Sequence, residues 1–175
     1  MQTALERKKQ PVENADASAA GGQPLYDLIE LLFFAYRDFV GDPDRILERY
    51  GFGRAHHRVL HFVNRNPGLT IAALLDILKI TKQSLNRVLK ELLEQGYVEQ
   101  RAGQSDRRQR LLFPTPAGQK LALELATLQT RRIARALDES GAGAGEGARR
   151  FLEAMIEPGG RPGDLAALVS PSDHP

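Results

Sequence analysis

The 175-residue sequence contains no cysteine and no tryptophan, and only 6% of it is aromatic. Without cysteine there are no disulfide staples, no thiolate metal sites and no thiol-based redox switch. No apolar run approaches the ~20 residues needed to cross a bilayer. The first twenty residues hold no apolar segment of the secretory-leader kind. The expectation is a cytoplasmic protein with no membrane partner. Charge of one sign is also scarce: the formal net charge is +2, so an anionic partner must be met by a local patch. No serine-histidine-acid set and no carboxylate pair stands out, so no catalytic residues and no cofactor are expected. The glycine-rich "GAGAGEG" at 141–147 lacks a Gly-Lys-Ser/Thr ending and follows a helix, which makes it a turn instead of a phosphate loop.

What is present suits one globular domain with a sizeable core: 42% hydrophobic and 26% charged residues. Residues 1–24 and 158–175 mix charge, glycine and proline without a sustained period and read as a flexible arm and tail. Residues 25–40, "LYDLIELLFFAYRDFV", place Leu25, Leu28, Leu32, Ala35, Tyr36 and Phe39 at helical spacing. Ile29, Leu31, Phe33 and Phe34 add a second apolar face, so this helix wants burial on both sides, one against its own domain and one against a partner subunit. Six acids against three bases in residues 25–50 make that region a poor surface for nucleic acid.

From Gly53 onward the pattern is more ordered. Residues 54–65 give a helix with Val59, Phe62 and Val63 inward, stopped by "NPG" at 66–68. Thr70 is placed to cap "IAALLDIL", and Thr81 to cap "KQSLNRVLKELLEQ". The second of these helices carries the stripe Leu85, Val88, Leu89, Leu92 and Leu93 and stops at Gly96. Two short helices joined by a tight turn form a helix-turn-helix. "YVEQR" (97–101) and "RQRLLFP" (108–114) flank the turn-rich "AGQSD" and predict a two-stranded hairpin. Thr115-Pro116 opens a long helix to about residue 138, with Leu121, Leu125, Leu128 and Ile133 inward. "SGAGAGEG" breaks it, and residues 148–157 close the fold.

The predicted fold class is mainly α (α+β): a winged helix-turn-helix with flanking N- and C-terminal dimerisation helices. The divisions are an arm (1–24), a dimerisation helix with its connection (25–52), the winged domain (53–114), C-terminal dimerisation helices (115–157) and a tail (158–175).

Burying the leucine stripe of helix 81–95 turns Lys82, Gln83, Asn86, Arg87 and Lys90 outward, with Ser84 near the start. Arginine or lysine can pair guanine edges, and asparagine or glutamine adenine, while the rest hold phosphates. The assignment is Gln83, Asn86 and Arg87 to bases, and Lys82, Ser84 and Lys90 to phosphates. Arg107 and Arg108 at the hairpin tip can enter a minor groove, and Asp106 is placed to hold one of them. Residues 79–110 hold eight bases and four acids, a balance of +4 in a chain of +2, so everything else sums to −2. A solvated amphipathic helix beside a solvated turn is the plainer reading of either element alone. Their combination with the charge asymmetry favours double-stranded DNA.

At this point the sequence resembles the MarR family of winged-helix transcriptional regulators, over residues 25–157 and most densely from 53 to 120. "RVLHFVNRNPGLTIAALLDILKITKQSLNRVLKELLEQGYVEQR" and "DRRQRLLFPTPAG" carry the resemblance. Asp106, Arg108, Thr115 and Gly118 fill the family's wing signature. "FPTPAG" departs slightly from its usual leucine-threonine ending, at the helix start more than at the DNA contact. "GRAHHRVLHFV" with "ITKQSLNRVLKEL" is similar to a PetP-like branch. The resemblance implies an obligate homodimer on a pseudo-palindromic operator, usually a repressor released by a small effector. It places Tyr36, Arg37, His57 and His61 near the effector cleft. His57 and His61 also have an i,i+4 spacing able to chelate a metal or approach a haem. His56 lies beside them, but no further ligand is close in sequence, and the expectation is no metal. The competing reading is a winged-helix module for protein–protein contact without specific DNA binding.

Overall fold

The computed structural model describes residues 24–103 and 109–158. Among them are six helices and three short strands in the order α1 (Tyr26–Leu47), α2 (Arg54–Arg65), β1 (Leu69–Thr70), α3 (Ile71–Leu78), α4 (Lys82–Glu94), β2 (Val98–Ala102), β3 (Arg110–Pro114), α5 (Pro116–Ser140) and α6 (Ala144–Met155). A 3-10 turn, Glu48–Tyr50, ends at Gly51 with φ 70°. The N-terminal arm before Pro24, the tail beyond Pro158 and residues 104–108 lie outside the described residues.

Local chemistry sets the helix starts. The Thr70 hydroxyl accepts from Ala73 N at 3.1 Å, that of Thr81 from Ser84 N at 3.2 Å and that of Thr115 from Gly118 N at 3.1 Å. Each satisfies an amide that the first helical turn leaves without a partner. The α3–α4 turn pivots on Lys79, the one non-glycine residue with positive φ (50°) among the described residues.

The core is a meeting of one face from each element except α6, which has no buried residue. Leu60 of α2, Leu74 of α3, Leu85 and Leu92 of α4, Leu112 of β3 and Leu125 of α5 are all fully buried. The sheet has the order β1-β3-β2 and is antiparallel throughout. Val98 pairs with Pro114 and Ala102 with Arg110, while Leu69 pairs with Leu112. The expected two-stranded hairpin therefore has a third strand, too short for an alternating pattern to announce.

Three further expectations need correction. Helix α1 continues past residue 40 to Leu47, straight through Pro43. Proline removes one helix amide, but Val40, Pro43 and Leu47 form the buried stripe, so tertiary packing outweighs the local break. Arg132 on α5 reinforces it with a 2.7 Å bond to Asp42. The second correction is the glycine-rich break, which is shorter than expected: only Gly141 and Gly143 take positive φ, and α6 resumes at Ala144. The third concerns the apolar faces. Residues 25–36 of α1 are exposed on both sides instead of one, because the N-terminal half of the helix overshoots the body; Ile133 is likewise exposed and Leu128 only half-buried.

Candidate nucleic-acid interface

Helix α4 separates its two faces cleanly. Leu85, Val88, Leu89 and Leu92 are buried, whereas Lys82, Gln83, Ser84, Asn86, Arg87 and Lys90 are all exposed. The first helical residues thus stand proud of the surface with amide, guanidinium and ammonium groups available. Two of the six have local partners: the Ser84 hydroxyl accepts from Thr81 Oγ1 at 2.9 Å, and Lys90 lies 3.7 Å from Glu94. An exposed pair of this kind is worth little and yields readily to a phosphate. Glu91, only partly buried, meets His56 Nε2 at 2.7 Å, so this carboxylate is paired.

At the wing, the Gly103 amide donates to Gln109 O at 3.1 Å and closes the strand pair. Asp106, Arg107 and Arg108 fall on residues 104–108, outside the described residues. Arg110 is exposed on β3. Arg101 is paired with Glu99 and lies 4.3 Å from the Phe113 ring centroid, a cation–π contact that stiffens the wing.

The wing is tied to α5 at its base. Thr115 N donates to Tyr97 O at 3.2 Å, and Thr115 Oγ1 donates to Gly96 O at 2.6 Å. A Cβ on Gly118 would lie 1.9 Å from Tyr97 O. The close approach of backbone to backbone is the physical reason for glycine at this position.

Below the winged lobe lies a solvent-open cavity of about 230 Å³ between α1, α2 and α5. Tyr36, Phe39 and Val40 line it from α1, and Gln129 from α5. The α2 wall is His57, Arg58, His61 and Phe62. Of the four residues expected near an effector cleft, the structure brings Tyr36, His57 and His61 together. Arg37 does not line the cavity, because its guanidinium pairs with Asp38 at 2.8 Å and lies over Phe34 at 5.0 Å. Arg58, Val40 and Gln129 were not singled out from sequence, Phe39 was read only as part of its helix's apolar face, and Phe62, expected inward, is half-buried and faces the cavity. The signal for Arg58 and Phe62 was available: they are neighbours of the two histidines on the face of α2 opposite the core residues Val59, Leu60 and Val63.

The three clustered histidines have different surroundings. His56 is buried, stacked on Phe52 at 4.6 Å and accepting from Gly53 N at its Nδ1, so Nε2 carries the proton given to Glu91. Burial pushes His57 below the usual imidazole range, and nearby His61 adds to the shift. Burial does the same for His61, with Arg65 adding. Among the described residues, no group of three or more His, Cys, Asp or Glu is gathered in a metal-binding arrangement.

A capped helix pair, an exposed polar face on its second member and a three-stranded wing define a winged helix-turn-helix protein. A model of the MarR family matches residues 50–109. The chain is 48% identical over 152 residues to the HTH-type transcriptional regulator PetP of Rhodobacter capsulatus, covering 82% of this chain and 92% of that protein. The chain belongs to the MarR family of winged-helix regulators. Solved structures agree in fold. A MarR transcriptional regulator from Methanosarcina mazei Go1 has a TM-score of 0.64 at 23% identity, covering 79% of this chain and 92% of that one. A mutant MarR from E. coli complexed with operator DNA has a TM-score of 0.58 at 18% identity, covering 77% and 100%.

Proposed function

We propose that the chain is a homodimeric, sequence-specific DNA-binding regulator, not an enzyme, acting in the cytoplasm as a repressor released by a small effector. The observation that carries the DNA reading is the outward face of α4, with six polar or cationic side chains exposed above a fully buried leucine stripe. Gln83, Asn86 and Arg87 read base edges, and Lys82, Ser84 and Lys90 hold phosphates. Arg107 and Arg108, oriented by Asp106, serve the minor groove. The uncovered apolar faces of α1 and α6 support the homodimer, since Phe33, Phe34, Phe151 and Leu152 are each more than half exposed in the single chain. The cavity lined by Tyr36, His57 and His61 supports an effector site.

Footprinting on genomic fragments tests the reading. Two protected half-sites one DNA turn apart, ~34 Å, are expected. Arg87→Ala relaxes the sequence preference, and Arg108→Ala weakens operator binding by ~1–3 kcal/mol. Uniform weak affinity for any duplex would instead support the protein–protein module.

A further inference from the structure

One acid of α4 stands a single turn beyond Arg87: Glu91, at the i,i+4 spacing that brings two helical side chains together. Of the residues three or four positions from Glu91, namely Arg87, Val88, Glu94 and Gln95, Arg87 is the one cation. A carboxylate so placed would ordinarily close on the guanidinium. Instead, Arg87 is exposed and makes no ion pair among the described residues, while Glu91 reaches across to α2 and meets His56 Nε2 at 2.7 Å.

His56 is held ready for that carboxylate. Its Nδ1 accepts from Gly53 N at 3.1 Å, which fixes the tautomer with the proton on Nε2. The ring is stacked on buried Phe52 at 4.6 Å and 15°, and Tyr97 braces Phe52 edge-on at 5.3 Å. Turning the imidazole away would forfeit both the backbone bond and the stacking. With 11% of its side chain exposed, against 39% for Glu91, His56 is the fixed member of the pair and Glu91 the one that is caught.

We propose that His56 is a positioning residue for base recognition: by engaging Glu91 it keeps the carboxylate off Arg87, so that the guanidinium meets DNA unpaired. This role rests on the reading of Arg87 as a base contact, and it brings a residue of α2 into what sets sequence preference. An arginine already paired to a carboxylate must break that pair before it can form two bonds to a guanine edge. The cost falls on discrimination between sequences, not on general attraction to phosphates.

Two substitutions break the same bond with opposite consequences for Arg87. His56→Phe keeps a ring on Phe52 but frees the carboxylate, whereas Glu91→Ala removes it. The readout is the ratio of affinities for the footprinted operator and for an unrelated duplex of equal length, measured with the full chain at one salt concentration. His56→Phe lowers the ratio about twofold to fivefold, the range an exposed ion pair commands, and shifts the Arg87 Nε–H resonance of the free protein. Glu91→Ala leaves both close to wild type, and adding Glu91→Ala to His56→Phe restores them. His56→Gln, which keeps an acceptor for Gly53 N and a donor for Glu91, also stays near wild type. Equal losses in the two single variants, or a double variant no better than His56→Phe, would mean that the bond only fixes α4 in place, and the proposed role is overturned. A loss in Arg87→Ala without one in His56→Phe leaves the base contact standing and removes the role of His56 alone. If Arg87→Ala itself leaves the ratio unchanged, the base-contact reading of Arg87 fails, and the role of His56 with it.

Discussion

Gly118 carries more consequence than its size suggests. Its backbone lies against the Tyr97 carbonyl in a space that a methyl group would overrun, within a junction where Thr115 bonds both Gly96 O and Tyr97 O. Neither partner is a flexible side chain, so relief requires moving the wing base or the first turn of α5. Gly118→Ala is expected to destabilise the fold by about 2–3 kcal/mol, read as a lower denaturant midpoint at an unchanged slope. A midpoint equal to wild type would show that the junction yields cheaply. Thr115→Ser, which keeps the capping oxygen, stays near wild type in the same measurement. The sequence marks Thr115 as a cap because a cap reaches only three residues. It cannot show why Gly118 is glycine, since Tyr97 comes close only through the sheet.

Helix α2 works on two sides. His56, Val59, Leu60 and Val63 enter the winged lobe, while His57, Arg58, His61 and Phe62 face the cavity. The cavity histidines give the fold a pH dependence. Their folded pKa values lie below the ordinary 6.5, so on acidification the unfolded chain takes up protons first. Stability is accordingly full above about pH 6.5 and falls as the pH drops towards the folded values. Both histidines contribute, since burial lowers each of them. Chemical denaturation between pH 5 and 8 should show the decline, and His57→Gln should flatten it; an identical slope in that variant would place the titrating group elsewhere. The i,i+4 spacing of the histidines was legible in the sequence, and so were the capped starts of α3, α4 and α5. Bonds such as Arg58 to Leu78 O or His56 to Glu91 span 20 and 35 residues, and no periodicity fixes which side chain meets which across such a loop.

Over the whole molecule, charge and apolar surface are kept apart. The +4 balance of residues 79–110 belongs to α4, its turn and the wing, while most of the uncovered apolar residues belong to α1 and α6, with Leu123 and Ile133 of α5 beside them. A two-fold assembly through the latter would present two copies of the former on one side. Sedimentation at micromolar concentration should find a dimer. Phe33→Glu, on a side chain 68% exposed in the single chain, should raise the dissociation constant by more than about tenfold, since two-fold symmetry places the change in the interface twice. A wild-type chain sedimenting as a monomer would leave the apolar helices without their proposed cover. The sequence showed apolar residues on both faces of the first of these helices, from which a partner was expected. It did not reveal that α1 overshoots its own domain, because that depends on where Val40, Pro43 and Leu47 find α5 and the core.

The junction at Tyr97, Thr115 and Gly118 also gives the molecule a mechanical arm. Helix α5 has 25 residues, and at about 1.5 Å per residue it is ~37 Å long. Its first turn is fastened to the base of the wing, and its far end passes into α6 among the exposed apolar residues. A tilt of about 5° pivoted at one end displaces the other by ~3 Å on that length, comparable to the rise of a single base pair. In the proposed dimer, small adjustments in how the two subunits lean on each other would thereby be geared up into changes in where the wings point.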